Sequence, residues 1–209
     1  MLLYYITDRT QFPGTEPERR EQLLDKISEA ALCGIQFIQL REKDLSGRDL
    51  ESIAREAMQR VRSSATQTRL LINSRTDIAL ASGADGVHLR SKDISPDDVR
   101  QIWGTTDVHV NPVIAVSCHT ESEVMAAEES AADFVVFGPV FEKRVDPERK
   151  PTGLELLHSA CRHNIPVVAL GGVTLTNAGS SIDAGAAGIA GIRLFQENKI
   201  ETVVKDLRH

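Results

Sequence analysis

No apolar run in this chain reaches membrane length; the longest end within about ten residues, where a spanning helix needs ~20. The opening segment MLLYYITDR has neither a basic region nor a small-residue cleavage site, so no export signal is read there and a cytoplasmic location is expected. Cysteine is scarce as well. Cys33, Cys118 and Cys161 are odd in number and stand in neither C-x-x-C nor metal-finger spacing, which predicts reduced, mostly buried thiols. Positive charge is not in excess: the formal net charge of −6 argues against a nucleic-acid surface, so an anionic ligand must be held by local donors. The first strand-like run is not followed by G-x-G-x-x-G, which weakens the case for a doubly wound dinucleotide fold.

What the chain does have is one phrase written four times. In Ala30 to Leu40, Ala79 to Leu89, Glu128 to Gly138 and Asp183 to Ile192, a helix-like stretch meets a small residue or glycine and then a short apolar run. The small residue stops a helix by tolerating the left-handed conformation, and the run that follows fits a buried parallel strand. Four further strands are expected at Leu2 to Ile6, Arg69 to Ile72, Pro112 to Ser117 and Pro166 to Leu170. Helical patterns lie between them at Glu18 to Leu32, Arg48 to Val61 and Asp97 to Trp103, with start signals at Ser95-Pro96-Asp97-Asp98 and Thr120-Glu121-Ser122-Glu123. Eight strands alternating with helices over 209 residues predict an α/β fold, a (β/α)8 TIM barrel occupying residues 1–209 as one domain. Met58, Val61 and Trp103 are expected in its core, and a homo-oligomer is compatible with the sequence.

In such a barrel the working groups follow the C-terminal ends of the strands. Those ends carry Gln39, Arg41 and Lys43, then Asn73 and Arg75, Arg90 and Lys92, Ser117 and His119. Convergence of Arg41, Lys43, Arg75, Arg90 and Lys92 on one rim would make a positive bowl suited to a phosphorylated substrate. Gly171-Gly172 and Gly191-Ile192, at the ends of strands seven and eight, would let backbone N–H groups approach a phosphate. His119 reads either as a general acid/base or as a loop histidine beside a helix start. Val87 and Leu89 around His88 favour a structural role, while His109, His158, His163 and His209 read as surface residues.

The phrases YYITDR, FIQLREKD, LLIN-x-R-x-DIAL, GADGVHL, VS-x-H-x-x-E, FGPVF, GLELL, PVVALGGV-x-x-x-N and AGAAGIAGI run in order through nearly the whole chain. Through them it resembles the thiamin phosphate synthase/TenI family. The resemblance implies a (β/α)8 barrel in thiamin biosynthesis acting on a thiazole phosphate. Its synthases join a pyrimidine diphosphate to that thiazole with Mg2+ held by two aspartates. Here the first aspartate position is Ser74, and the second is Asp93, approached through Arg90-Ser91-Lys92. A hard cation prefers carboxylate oxygens, so this change should weaken a metal site. The threonine-rich segment of the synthases is also replaced by Phe141-Glu142-Lys143-Arg144-Val145-Asp146, and Phe141 to Thr152 is a candidate lid.

These departures put a TenI-like thiazole tautomerase first: a cofactor-free proton shift by His119, the phosphate on Gly171, Gly172, Gly191 and Ile192, and the carboxylate oriented by Gln39 and Arg41. Lys43, Asn73, Arg75 and Ser117 complete the expected substrate contacts. The alternative is a Mg2+-dependent thiamin phosphate synthase that also takes the pyrimidine diphosphate, Asp93 holding the metal with water or Asp77. A non-catalytic barrel that binds thiazole or thiamin phosphate is the second alternative. None of these readings involves a nucleic acid or a membrane.

Overall fold

In the computed structural model, which describes residues 1–106, 110–142 and 150–208, strands and helices alternate along the chain. In order they are β1 Leu2–Ile6, α1 Glu16–Leu32, β2 Phe37–Leu40, α2 Gly47–Ser63, β3 Arg69–Asn73, α3 Thr76–Ser82, β4 Gly86–Arg90, α4 Pro96–Gly104 and β5 Val113–Cys118. There follow α5 Glu121–Glu129, β6 Phe134–Phe137, α6 Gly153–Ala160, β7 Val167–Leu170, α7 Ala178–Asp183, β8 Gly188–Gly191, α8 Arg193–Gln196 and α9 Ile200–Arg208. The eight strands pair in sequence order and close into a barrel, β1 lying parallel to both β2 and β8. An open doubly wound sheet is thereby ruled out.

The repeated phrase has a single structural meaning. At the end of α1 the Ile35 N–H reaches the Ala30 carbonyl (3.0 Å); Ala84 reaches Ala79 (2.9 Å), Ala132 reaches Ala127 (3.0 Å) and Ala186 reaches Ser181 (3.1 Å) in the same way. Each is the long bond of a Schellman stop, preceded by a left-handed residue: Gly34, Gly83, Ala131 and Gly185. The next residue is apolar and begins the descent into the sheet. The strand boundaries follow equally local rules. β5 and β7 start one residue after Pro112 and Pro166, since a proline ring has no N–H to donate to the ladder. Ser95 starts α4 by accepting from the Asp98 N–H, with Pro96 in the first turn where no donor is needed.

Two apolar layers result. Between sheet and helices lie residues such as Leu23, Ile27, Ile53, Met58, Val61, Leu70, Val87, Trp103, Val135 and Leu157. Met58, Val61 and Trp103 therefore belong to the core. Inside the barrel a second cluster holds Tyr4, Leu71, Ala115, Phe134, Val136, Val168 and Ala190. Tyr4, Phe37 and Phe134 meet there with ring centroids 4.7 to 6.0 Å apart, plugging the barrel below its mouth. Of the three free thiols only Cys118 is buried; Cys33 and Cys161 are half-exposed because each sits at a helix C-cap, the outward end of a turn.

Ala131 is the one stop that pays a side-chain penalty, since a Cβ disfavours the left-handed region by about 1–2 kcal/mol. Ala131→Gly should therefore stabilise the protein by about 0.5–1 kcal/mol, and Gly83→Ala should destabilise it by a similar amount. Urea unfolding of the two variants checks the opposite signs.

Candidate active site

Strand side chains alternate, so the residues that share a parity with the inner cluster continue up the barrel into its mouth. On β2 that parity runs Phe37, Gln39 and then Arg41; on β3 it ends at Asn73, on β4 at His88 and Arg90, on β5 at Ser117. Gln39 is buried, and its side-chain nitrogen lies beside the Tyr4 hydroxyl without completing a hydrogen bond. A buried amide donor left unpaired is costly, and a ligand in the mouth would satisfy it.

Below this level a polar line crosses the barrel. The Tyr4 hydroxyl lies 2.9 Å from Nδ1 of His88, whose Nε2 lies 2.7 Å from Oγ of Ser117. Burial, reinforced by the Arg41 cation, pushes the His88 pKa down to about 3. The ring is therefore neutral, with one nitrogen donating and the other accepting. His88 thus has the structural role its apolar neighbours suggest, and it also fixes Ser117 at the mouth.

A third arrangement supports the rim from outside. Arg9 and Glu42 are both buried; the Arg9 backbone N–H and one guanidinium nitrogen meet Oε2 of Glu42 at 2.9 and 3.3 Å. The guanidinium also forks onto Asp44 at 2.7 and 2.8 Å, and these bonds hold its pKa above the ordinary value. Burial raises the Glu42 pKa despite its partners. Its other oxygen accepts from the Thr7 hydroxyl at 2.5 Å, and Oγ of Thr7 accepts from the Arg41 N–H at 3.0 Å. Strand ends β1 and β2 are thereby tied together under Arg41. Nothing in the residue pattern alone pointed to this network, because its members read as ordinary loop charges.

Arg41, Lys43 and Arg90 gather on one side of the mouth. The pKa of Lys43 is lowered first by the Arg41 cation, then by burial and by Arg90, so Lys43 feels both of the other cations. The Asp8 charge acts on Arg41 and Lys43, and Arg90 is held by Asp93. Its Oδ1 accepts from Nε and Nη2 of Arg90 at 3.0 and 2.8 Å, and its Oδ2 from the Ser74 hydroxyl at 2.6 Å and the Arg90 backbone N–H at 2.8 Å. A carboxylate has about four lone-pair directions, and donors fill all of them. The Mg2+ ligand set implied by the family resemblance therefore does not fit this arrangement. Asp77 does not help, for it pairs with Arg75 at 2.6 and 2.8 Å on the exposed start of α3. No group of three or more histidine, cysteine or acidic side chains suited to a metal occurs among the described residues.

The opposite side of the mouth is made of backbone. Gly171 and Gly172 have φ of +95° and +66°, and a Cβ on Gly172 would lie 2.4 Å from the Glu142 carbonyl oxygen. Only glycine lets the β6 loop settle there, with the Phe141 N–H on the Gly171 carbonyl at 2.9 Å. Asn177 secures the turn by accepting from the Thr174 N–H (2.7 Å) and donating to the Gly172 carbonyl (3.0 Å). Gly191 and Ile192 lead directly into α8. His119 stands between the two sides at the end of β5. Its Nδ1 hydrogen-bonds the Gly138 carbonyl at the end of β6, and since a carbonyl only accepts, Nδ1 carries the proton and Nε2 is the basic nitrogen.

Most of the sequence-predicted residues thus meet at one mouth: Gln39, Arg41, Lys43, Asn73, Asp93, Ser117, His119 and the two glycine turns. Arg75 does not join them, because its guanidinium is taken by Asp77 beside Gly47. Lys92 is exposed. Most of the candidate lid, including Lys143, Arg144 and Arg149, lies outside the described residues, as do His109 and His209. His158 is exposed as expected, but His163 is partly buried between Glu121 and Glu128.

The family model described as thiamine monophosphate synthase matches residues 3–195. A thiamine-phosphate synthase of Caldanaerobacter subterraneus subsp. tengcongensis is 35% identical over 207 residues, covering 98% of this chain and 91% of the relative. A relative in Aquifex aeolicus (strain VF5), whose name as a thiamine-phosphate synthase is provisional, is 39% identical over 196 residues, 93% of this chain and 97% of its own. The solved structure of thiamine phosphate pyrophosphorylase from Pyrococcus furiosus is similar with a TM-score of 0.80 at 29% identity, covering 99% of this chain and 93% of that one. No helix among the described residues is long and apolar enough to cross a membrane.

The neutral state of His88 sets a pH dependence. Unfolding returns its pKa from about 3 to the ordinary 6.5, so the unfolded chain binds a proton that the folded chain refuses. Stability is fully present above pH ~6.5 and is lost as the pH falls toward 3, by up to ~1.4 kcal/mol per pH unit. His88→Gln should show a visibly shallower loss of stability between pH 6.5 and 5 than the parent protein, measured by urea unfolding at each pH.

Proposed function

Because this chain belongs to the thiamine monophosphate synthase family, and is on that ground an enzyme of thiamine biosynthesis, we propose that it couples a pyrimidine diphosphate to a thiazole phosphate with release of pyrophosphate. The observation that carries this reading is the gathering of Arg41, Lys43 and Arg90 on one side of the mouth, where Asp93 pairs only with Arg90 and the Asp8 charge acts on Arg41 and Lys43 without forming an ion pair among the described residues. Three cations against two carboxylates, with Arg41 and Lys43 in no ion pair among the described residues, suit a diphosphate better than a lone carboxylate. The names of the relatives point the same way. This reverses the order suggested by Ser74, whose replacement of a carboxylate had placed the tautomerase first.

In the proposed reaction the bond between the pyrimidine methylene carbon and the diphosphate oxygen breaks, and pyrophosphate leaves with the electron pair. The thiazole nitrogen supplies a lone pair to the same carbon. Arg41 and Lys43 stabilise the charge that accumulates on the leaving group, and Gln39 donates to it from the barrel interior. Gly171, Gly172, Gly191 and Ile192 hold the thiazole phosphate on the facing side by backbone donation. Ser117, oriented by His88, lies between the two anion sites, where its hydroxyl can hydrogen-bond a bound substrate's polar atoms.

A thiazole tautomerase is the second reading, and His119 favours it. Its ring, at the end of β5, is anchored through Nδ1 on the Gly138 carbonyl, and an imidazole at that strand end can carry a proton shift on a thiazole. The two readings separate in one assay. With both substrates present, the coupling reading expects pyrophosphate release, reduced about 100-fold in kcat/KM by Arg41→Gln. Aromatisation of a thiazole carboxylate phosphate without pyrophosphate, abolished by His119→Gln, would instead establish the tautomerase.

A further inference from the structure

The Asp93 carboxylate is already enclosed. Its side chain is 11% exposed, whereas that of Arg90, which forks over it, is 70% exposed. The pair is not a casual surface contact, because both ends are fixed. Oδ2 of Asp93 is held by the Arg90 backbone N–H (2.8 Å), and the Asp93 N–H returns to the Arg90 carbonyl (3.0 Å). On the other flank Ser74 is locked with φ of +58°, its N–H on the His88 carbonyl at 2.9 Å, so that its hydroxyl aims at Oδ2. Ser74 therefore donates a hydrogen bond to Asp93 where a second carboxylate would have offered a cation further lone pairs.

A divalent ion could reach Asp93 only by evicting the guanidinium. Two of the five guanidinium N–H donors engage Asp93. The remainder of the planar group belongs to a side chain that is 70% exposed and whose charge acts on Lys43, and a guanidinium has the geometry that binds phosphate oxygens through paired bonds.

We infer that Arg90 is a built-in counter-ion, standing where the family resemblance implies a metal, and that Arg90, Arg41 and Lys43 bind a diphosphate group without a divalent cation. The inference rests on the diphosphate reading above. Specificity follows from it: the mouth accepts the metal-free diphosphate, and Arg90 binds it directly while Asp93 and Ser74 hold Arg90 in place.

The test is calorimetric titration of inorganic pyrophosphate into the full chain, in excess chelator and again with magnesium. Binding is expected in chelator, with affinity changed less than about threefold by magnesium. Arg90→Gln should weaken it at least about tenfold, the scale of a lost charge-assisted pair, and Arg90→Lys should recover part of the loss. The double variant Ser74→Asp/Arg90→Gln should acquire Mn2+ binding, seen by electron paramagnetic resonance of the protein alone, where the parent binds none. Pyrophosphate binding that requires magnesium in the parent, or that ignores Arg90→Gln, overturns the inference and leaves the diphosphate reading standing. Absence of binding in both conditions overturns the two together.

Discussion

Closure of the sheet governs everything at the mouth of this barrel. Once β1 pairs with β8, every second residue on each strand faces one axis, and there is no freedom to turn a single strand over without exposing its apolar side. The lower inward positions are filled by Tyr4, Phe37, Phe134 and their neighbours. The upper ones, Gln39, Asn73, His88 and Ser117, are polar and meet above that plug. Position along the strand, rather than residue type alone, thus decides whether a side chain belongs to the core or to the site.

Charge is arranged on the same frame in two layers. The Arg9–Glu42 pair lies buried beneath the rim, where its hydrogen bonds satisfy both ions and tie β1 to β2. Above it Arg41 and Lys43, on either side of Glu42 in sequence, form no ion pair among the described residues, although the Asp8 charge acts on both. Removing one partner of a buried pair leaves an uncompensated charge, so the lower layer resists change while the upper layer is available to an anion. The backbone side of the mouth, at Gly171 and Gly172, is shaped by close approach of the β6 loop. The two proposed anion sites therefore differ in construction and lie on either side of Ser117 and His119.

Much of this was legible in the sequence. The four helix stops, the strand parity and the glycine turns are local signals, and each has the same outcome in the structure. Gln39, Arg41, Lys43, Asn73, Ser117 and His119 could be placed at one mouth because strand ends in a barrel must converge. Arg75 was misplaced since an arginine next to a helix start can pair with an aspartate two residues on, and here Asp77 captures it. Ser74 and Asp93 were read as a damaged metal site because sequence shows the lost carboxylate but not the guanidinium that covers the remaining one. The Tyr4–His88–Ser117 line joins residues up to 84 positions apart, and no local pattern announces it.

The central claim is that protein cations, and not a metal on Asp93, receive the anion at this mouth. A crystal structure of the protein grown with pyrophosphate and Mn2+, read with anomalous scattering at the manganese edge, tests it most directly. The account predicts pyrophosphate between Arg41, Lys43 and Arg90 with the Arg90–Asp93 fork intact and no manganese peak at Asp93. A manganese peak on the Asp93 oxygens, with Arg90 swung away, would contradict it.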